Sequence, residues 1–140
     1  MSRTHEISWA AGFFDGEGYI VIQKRGGKKY LGYYLRIGIN HVAVEPLLEM
    51  QRLFGGSIEA QNPDKVTGNR KQRHRWNTST SNAAETLKQM LPYMKNKNKV
   101  SALALDFQQT IQSNKLALSE EVQKQRELYR SEIMRLNSLD

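Results

Sequence analysis

Apolar residues recur along this chain first at a helical period, then at a strand period, and the alternation repeats. Ile7, Ala10, Ala11 and Phe14 stand at i, i+3, i+4 and i+7, which predicts a helix over Thr4–Phe14, ended by Gly16 and Gly18. From Tyr19 to Arg25 the period drops to two: Ile20 and Ile22 share one side, and Tyr19, Val21, Gln23 and Arg25 the other. Gly26-Gly27 signals a hairpin turn. The return strand, about Lys29–Asn40, sets Leu35, Ile37 and Ile39 against Tyr34, Arg36 and Gly38. Pro46 suits the first turn of a second helix carrying Leu47, Leu48, Leu53 and Phe54, with Gly55-Gly56 as its stop. A strand starts at Ser57, the turn-rich run from Asn62 to Asn69 reads as a loop, and a fourth strand occupies about Lys71–Ser79. Its alternation sets Arg73, Arg75 and Asn77 against His74, Trp76 and Thr78.

Asn82 to Glu85 has capping-box spacing and predicts a third helix through Leu91, broken by Pro92. A fourth runs from Asn98 to Ile111 with Val100, Leu103, Ala104, Phe107 and Ile111 on one face. Ser119 caps a last helix bearing Val122, Tyr129, Ile133 and Leu136. The predicted order is α-β-β-α-β-β-α-α-α, an α+β chain forming one domain over residues 1–140.

The 140 residues carry 21 Lys and Arg against 14 Asp and Glu, a formal net charge of +7. The excess is concentrated. Lys24, Arg25, Lys28, Lys29 and Arg36 lie in an acid-free stretch from Gly18 to Val44, and Lys65, Arg70, Lys71, Arg73 and Arg75 in another from Lys65 to Ala84. Two acid-free blocks on strands and hairpins point to a polyanion surface. With no cysteine, disulfides, thiolate zinc sites, iron–sulfur clusters and thiol catalysis are excluded. No apolar run approaches the ~20 residues of a membrane span, and the N-terminus lacks a secretory core, so a soluble intracellular protein is expected.

The stretch from Ala10 to Gly18 carries the chemistry. Ser8, Gly12 and Gly16 recur every four residues, leaving a stripe on which another backbone can approach closely. Asp15 and Glu17 crowd the end of the helix, where the dipole is already negative, and a cation would relieve that conflict. A hard divalent ion such as Mg²⁺ prefers such oxygen ligands. Two copies of the helix packed together would bring a carboxylate from each to the junction, beside a basic hairpin.

This stretch resembles the LAGLIDADG motif of homing endonucleases. Ala11, Gly12, Asp15 and Gly18 match the motif directly, Phe13 and Phe14 are apolar replacements, and Gly16 is a small one. Ala10 replaces the leading Leu, and Glu17 replaces the second Asp, keeping the charge with one more methylene. Leu91 to Lys99 resembles the family's "L-x-P-x-L-x-x-K" region, and Leu53 to Ile58 the helix-to-strand joint.

The resemblance implies an αββαββα core with a four-stranded antiparallel saddle that lies on double-stranded DNA. It implies Glu17, with Gly16, as metal ligands for Mg²⁺ or Mn²⁺. It implies Lys97, or with a slip of register Lys95 or Lys99, as the basic residue near the scissile phosphate, and His41 as a side chain ordering active-site water. A single motif implies a homodimer meeting through Ser8, Ala11, Gly12, Asp15 and Gly16, with an approximately palindromic target. Strand parity then assigns base contacts to Gln23, Arg25, Tyr34, Arg36, Gln61, Arg73, Arg75 and Asn77, and phosphate contacts to Lys28, Lys29, Lys65, Arg70 and Lys71. A site-specific, metal-dependent DNA endonuclease is the leading reading. A maturase binding intron RNA and a non-catalytic DNA-binding regulator on the same scaffold are the alternatives.

Overall fold

The computed structural model describes residues 2–26, 31–61, 68, 71–113 and 120–139. In chain order it forms α1 (Arg3–Glu17), β1 (Gly18–Gly26), β2 (Leu31–His41), α2 (Glu45–Phe54), β3 (Ser57–Gln61), β4 (Arg73–Ser79), α3 (Thr80–Met90), a 3₁₀ turn (Leu91–Tyr93), α4 (Asn98–Ser113) and α5 (Glu120–Ser138). The element order is the predicted one. The Gly26-Gly27 turn, the loop after Gln61 and the Ser119 cap fall wholly or partly outside the described residues.

The sheet is antiparallel throughout, in the order β1-β2-β4-β3. Its inner face buries Ile20, Ile22, Tyr33, Leu35, Ile37, Ile39, Trp76 and Thr78. Against it pack Ile7, Ala10, Ala11 and Phe14 of α1, Leu47, Met50, Leu53 and Phe54 of α2, and Ala83, Leu87 and Met90 of α3. Val100, Ala104 and Phe107 of α4 and Ile133 of α5 complete one core. The helices therefore lie to one side and leave the other face of the sheet open.

Three local expectations change. Helix α1 runs to Glu17 rather than Phe14, because Gly16 stays helical and the chain turns extended only at Gly18. This keeps Asp15 and Glu17 on the helix. On α2, Leu48 points outward and Met50 takes the inward place. The Asn82–Glu85 capping box is not formed. α3 begins at Thr80, and the Asn82 amide instead donates to the Phe54 carbonyl at 2.9 Å and the Thr78 hydroxyl at 2.7 Å, tying the end of α2 to the start of α3.

The Gly55-Gly56 stop has a steric reason. Both residues take positive φ (76° and 91°), and a Cβ on Gly56 would stand 2.6 Å from the Asn77 carbonyl. That close approach lets the Trp76 indole donate to the Gly55 carbonyl at 2.9 Å. At the opposite edge, α5 covers β1. The Asn137 amide donates to the Ile20 carbonyl at 3.0 Å, and Glu127 accepts from the Tyr33 hydroxyl at 2.8 Å and pairs with Lys24 at 2.9 Å. One carbonyl of the β1 edge is thereby satisfied.

Candidate active site

The end of α1 meets the start of α4. Lys97 is the residue before α4, its carbonyl accepting the helix's Ser101 N–H, and no acid stands in that helix's first turn. The three backbone N–H groups just ahead of the helix are satisfied from a distance. Asp15 accepts from the backbone N–H of Lys95 at 2.9 Å, of Asn96 at 2.9 Å and of Lys97 at 2.7 Å. The Lys97 ammonium donates to the Asp15 carbonyl at 3.0 Å. It therefore sits against the negative end of α1, two residues from Glu17. Glu17 and Gly16 are exposed, and Glu17 makes no hydrogen bond or ion pair among the described residues. Of the two carboxylates at this helix end, Asp15 is already neutralised inside the subunit and only Glu17 is available to an external cation.

Partial burial pushes the Asp15 carboxyl up. The N–H groups of Lys95, Lys97 and Asn96, with the Lys97 charge, outweigh it, so Asp15 titrates below its ordinary value. A lowered carboxylate contributes stability that is complete above the unfolded-state value, about 3.9, and lost as the pH falls through the folded one. Asp15→Asn is expected to lower stability by about 1–2 kcal/mol at pH 7. The difference between the two proteins should hold down to about pH 5 and shrink below pH 4. Thermal unfolding across pH 3–7 checks this, and a pH-independent difference would contradict the clamp.

The open face of the sheet is built by the strand register. Gln23 lies opposite Tyr34, Val21 opposite Arg36 and Asn40 opposite Arg75. Asn77 lies opposite Gly38 and Ser57, and Gln61 opposite Arg73. Gln23, Arg25, Tyr34, Arg36, Gln61, Arg73, Arg75 and Asn77 therefore share one face, away from the core, as the alternation predicts. Lys71 is exposed just before β4. Lys28, Lys29, Lys65 and Arg70 lie outside the described residues. The side chains of this face are interlinked. The Tyr34 hydroxyl donates to Gln23 at 2.5 Å, the Arg25 guanidinium lies 5.2 Å from the Tyr34 ring centroid, and Arg75 Nε donates to Asn40 at 3.0 Å.

Residues 10–114 match the sequence profile of the family described as LAGLIDADG endonuclease, three-quarters of the chain. The chain belongs to that family. Its fold is shared with solved LAGLIDADG structures. The homing endonuclease I-CvuI, in complex with the I-CreI target in the presence of Mg, superposes with a TM-score of 0.80 at 19% identity, over 96% of this chain and 83% of that one. The archaeal intron-encoded I-Vdi141I complexed with DNA gives 0.80 at 12%, over 96% and 86%. I-SmaMI bound to cleaved DNA gives 0.70 at 17%, over 89% of this chain but 42% of that one. No curated protein sequence matches.

As a LAGLIDADG chain, the protein can be tested for a fit to a divalent metal. The donors at the α1 end are oxygens, the Glu17 carboxylate and the Gly16 carbonyl, the set a hard cation takes. Among the described residues no three acidic or imidazole side chains gather at one point, so further ligands must come from a second copy, the substrate or water. The residues fit such a shared site. No helix of the described residues is long and apolar enough to cross a membrane.

Two residues of the expected stripe are engaged within the chain itself. Gly12 and Gly16 are exposed, with nothing within 4 Å of an added Cβ, and Ser8 is half-buried beside them. Ala11 is fully buried in its own core and has no surface to offer a partner. The Asp15 carboxylate faces the 95–97 backbone. On the exposed side stand Trp9, 42% exposed, stacked on Phe13 with centroids 5.5 Å apart.

His41 also moves. Strand alternation turns it to the helix side, edge-on to Phe13, with Nδ1 accepting from the Ala43 N–H at 3.0 Å. The polar side chain facing outward at that strand end is Asn40. Asn40 and Glu59 are two open-face residues missed from sequence. Counting by two from Arg36 and Gln61 reaches both.

Proposed function

We propose that this chain is a homodimeric, site-specific double-strand DNA endonuclease that uses Mg²⁺ or Mn²⁺. What carries the reading is the meeting of two features: an open sheet face set with arginine and amide side chains, and a helix end that presents Glu17 and Lys97 beside it. Arginine suits bidentate contact with guanine, and Gln or Asn with adenine. The relatives whose structures are described as complexed with DNA lend the substrate class.

Glu17, with the Gly16 carbonyl, would hold the divalent ion, which when bound supplies an activated water and charge stabilisation at the leaving oxygen. Lys97 offers a fixed positive charge at the same helix end, its ammonium oriented by the Asp15 carbonyl. Gly12 and Gly16 leave room for α1 of a second copy, which would bring a second Glu17 to the junction so that each copy serves one strand. The two-fold axis then predicts a nearly palindromic target.

The test is selection of cleaved duplexes from a randomised library. A nearly palindromic target cut only with divalent metal is expected, and no selected duplex under any metal would sink the reading. On that target, Arg25→Ala, Arg73→Ala and Arg75→Ala should each cost about 1–3 kcal/mol and relax preference at particular base pairs. Lys71→Ala should weaken target and random duplex alike and lower the salt slope by about one. Equal losses on target and random duplex from all four would overturn the face assignment.

A further inference from the structure

Among the described outward-facing residues of the four strands, Glu59 is the one carboxylate. It lies between two arginines of other strands: Arg75 Nη1 is 3.6 Å away on β4 and Arg36 Nη2 is 3.8 Å away on β2. Arg36 also approaches Gln23 of β1 at 3.5 Å, and Arg75 is held by Asn40. The chain of contacts from Gln23 through Arg36, Glu59 and Arg75 to Asn40 therefore touches every strand, and Glu59 joins its two halves.

The ion pairs themselves contribute little to folding. Glu59 is 55% exposed at its side chain, both distances exceed a hydrogen bond, and exposed pairs are worth about 0–1 kcal/mol. On a face meant for a polyanion, a carboxylate also repels phosphate. The effect of Glu59 therefore falls on recognition. Arg36 Nε is buried without an acceptor, and Glu59 is the counter-charge of its guanidinium among the described residues. Two guanidinium groups that share one carboxylate cannot move independently. When one swings to a base edge, the carboxylate is released to the other or follows the first.

We propose that Glu59 is a positioning residue that couples Arg36 and Arg75, so that the base pairs the two arginines read are recognised as a unit rather than one by one. This rests on the endonuclease reading above. Coupling of this kind makes the protein discriminate more sharply against targets wrong at one of the two positions than independent contacts do.

The experiment first locates the two base pairs as those whose preference relaxes in Arg36→Ala and in Arg75→Ala. Binding to all sixteen combinations at those pairs is then measured for the wild type and Glu59→Gln, with Ca²⁺ in place of Mg²⁺ so that chemistry does not intrude. In the wild type, double changes should depart from the product of the single changes by about three- to tenfold. In Glu59→Gln the departure should fall within about twofold, while affinity for random duplex rises and the unfolding midpoint holds. Persistence of the wild-type departure in Glu59→Gln would overturn the proposal. So would loss of preference at a single base pair with the departure unchanged, since Glu59 would then read a base itself. Failure of the wild type to select any duplex would sink the endonuclease reading and this proposal with it. A selected target with purely multiplicative effects sinks the coupling alone.

Discussion

Glu17→Gln is expected to cut its target slower by about 10²–10³-fold or more while still binding it. The substitution keeps the side chain's size and removes its charge. Glu17 is exposed at the end of α1 and has no partner among the described residues, so no contact with them is lost with the charge. Binding should hold or tighten, because the dimer loses two negative charges near the phosphates. Single-turnover cleavage with Mg²⁺ and gel-shift binding with Ca²⁺ separate the two effects. A near wild-type cleavage rate would remove Glu17 from the metal site. Asp15→Asn supplies the contrast, since its cost appears as lost stability.

Gly12→Leu is the second large effect, and it acts between subunits. A Cβ at Gly12 meets nothing within 4 Å, so the larger side chain is not opposed inside the chain. Replacing glycine in mid-helix should even stabilise the subunit by about 0.5–1 kcal/mol. Two leucines on facing stripes should instead force the helices apart. A penalty of about 3 kcal/mol on association weakens the dimer by more than a hundredfold. Light scattering, thermal unfolding and cleavage should then diverge: the subunit as stable as before, the dimer and both-strand cleavage lost together. A Gly12→Leu dimer of full activity would place the interface elsewhere.

The contrast between these residues shows what a sequence exposes. The open face was legible because strand period is two and Gly18 fixes where β1 begins, so Gln23, Arg36, Arg73 and Arg75 followed by counting. Asn40 and Glu59 obey the same count and were within reach. The helical stripe of α1 was legible at Ile7, Ala10 and Phe14, but Ala11 was assigned to both the core and the dimer, and burial decides for the core. The role of Asp15 was not legible. Its partners are backbone N–H groups some eighty residues away, and nothing local marks them. Asn82 failed for a related reason: its side chain answers to a neighbour in space, Phe54, rather than to the local pattern.

The clamp at Asp15 has a consequence for how the molecule comes into being. It closes a loop of about eighty residues, an ordering cost near 4 kcal/mol that local contacts cannot meet early. Formation of this contact therefore belongs late in folding, after the sheet and α3 have brought the two ends within reach. During synthesis, α1 leaves the ribosome long before residues 95–97 exist. The nascent chain carries its acidic helix end without the lysine that accompanies it, and the two groups meet only when the domain around them is nearly whole.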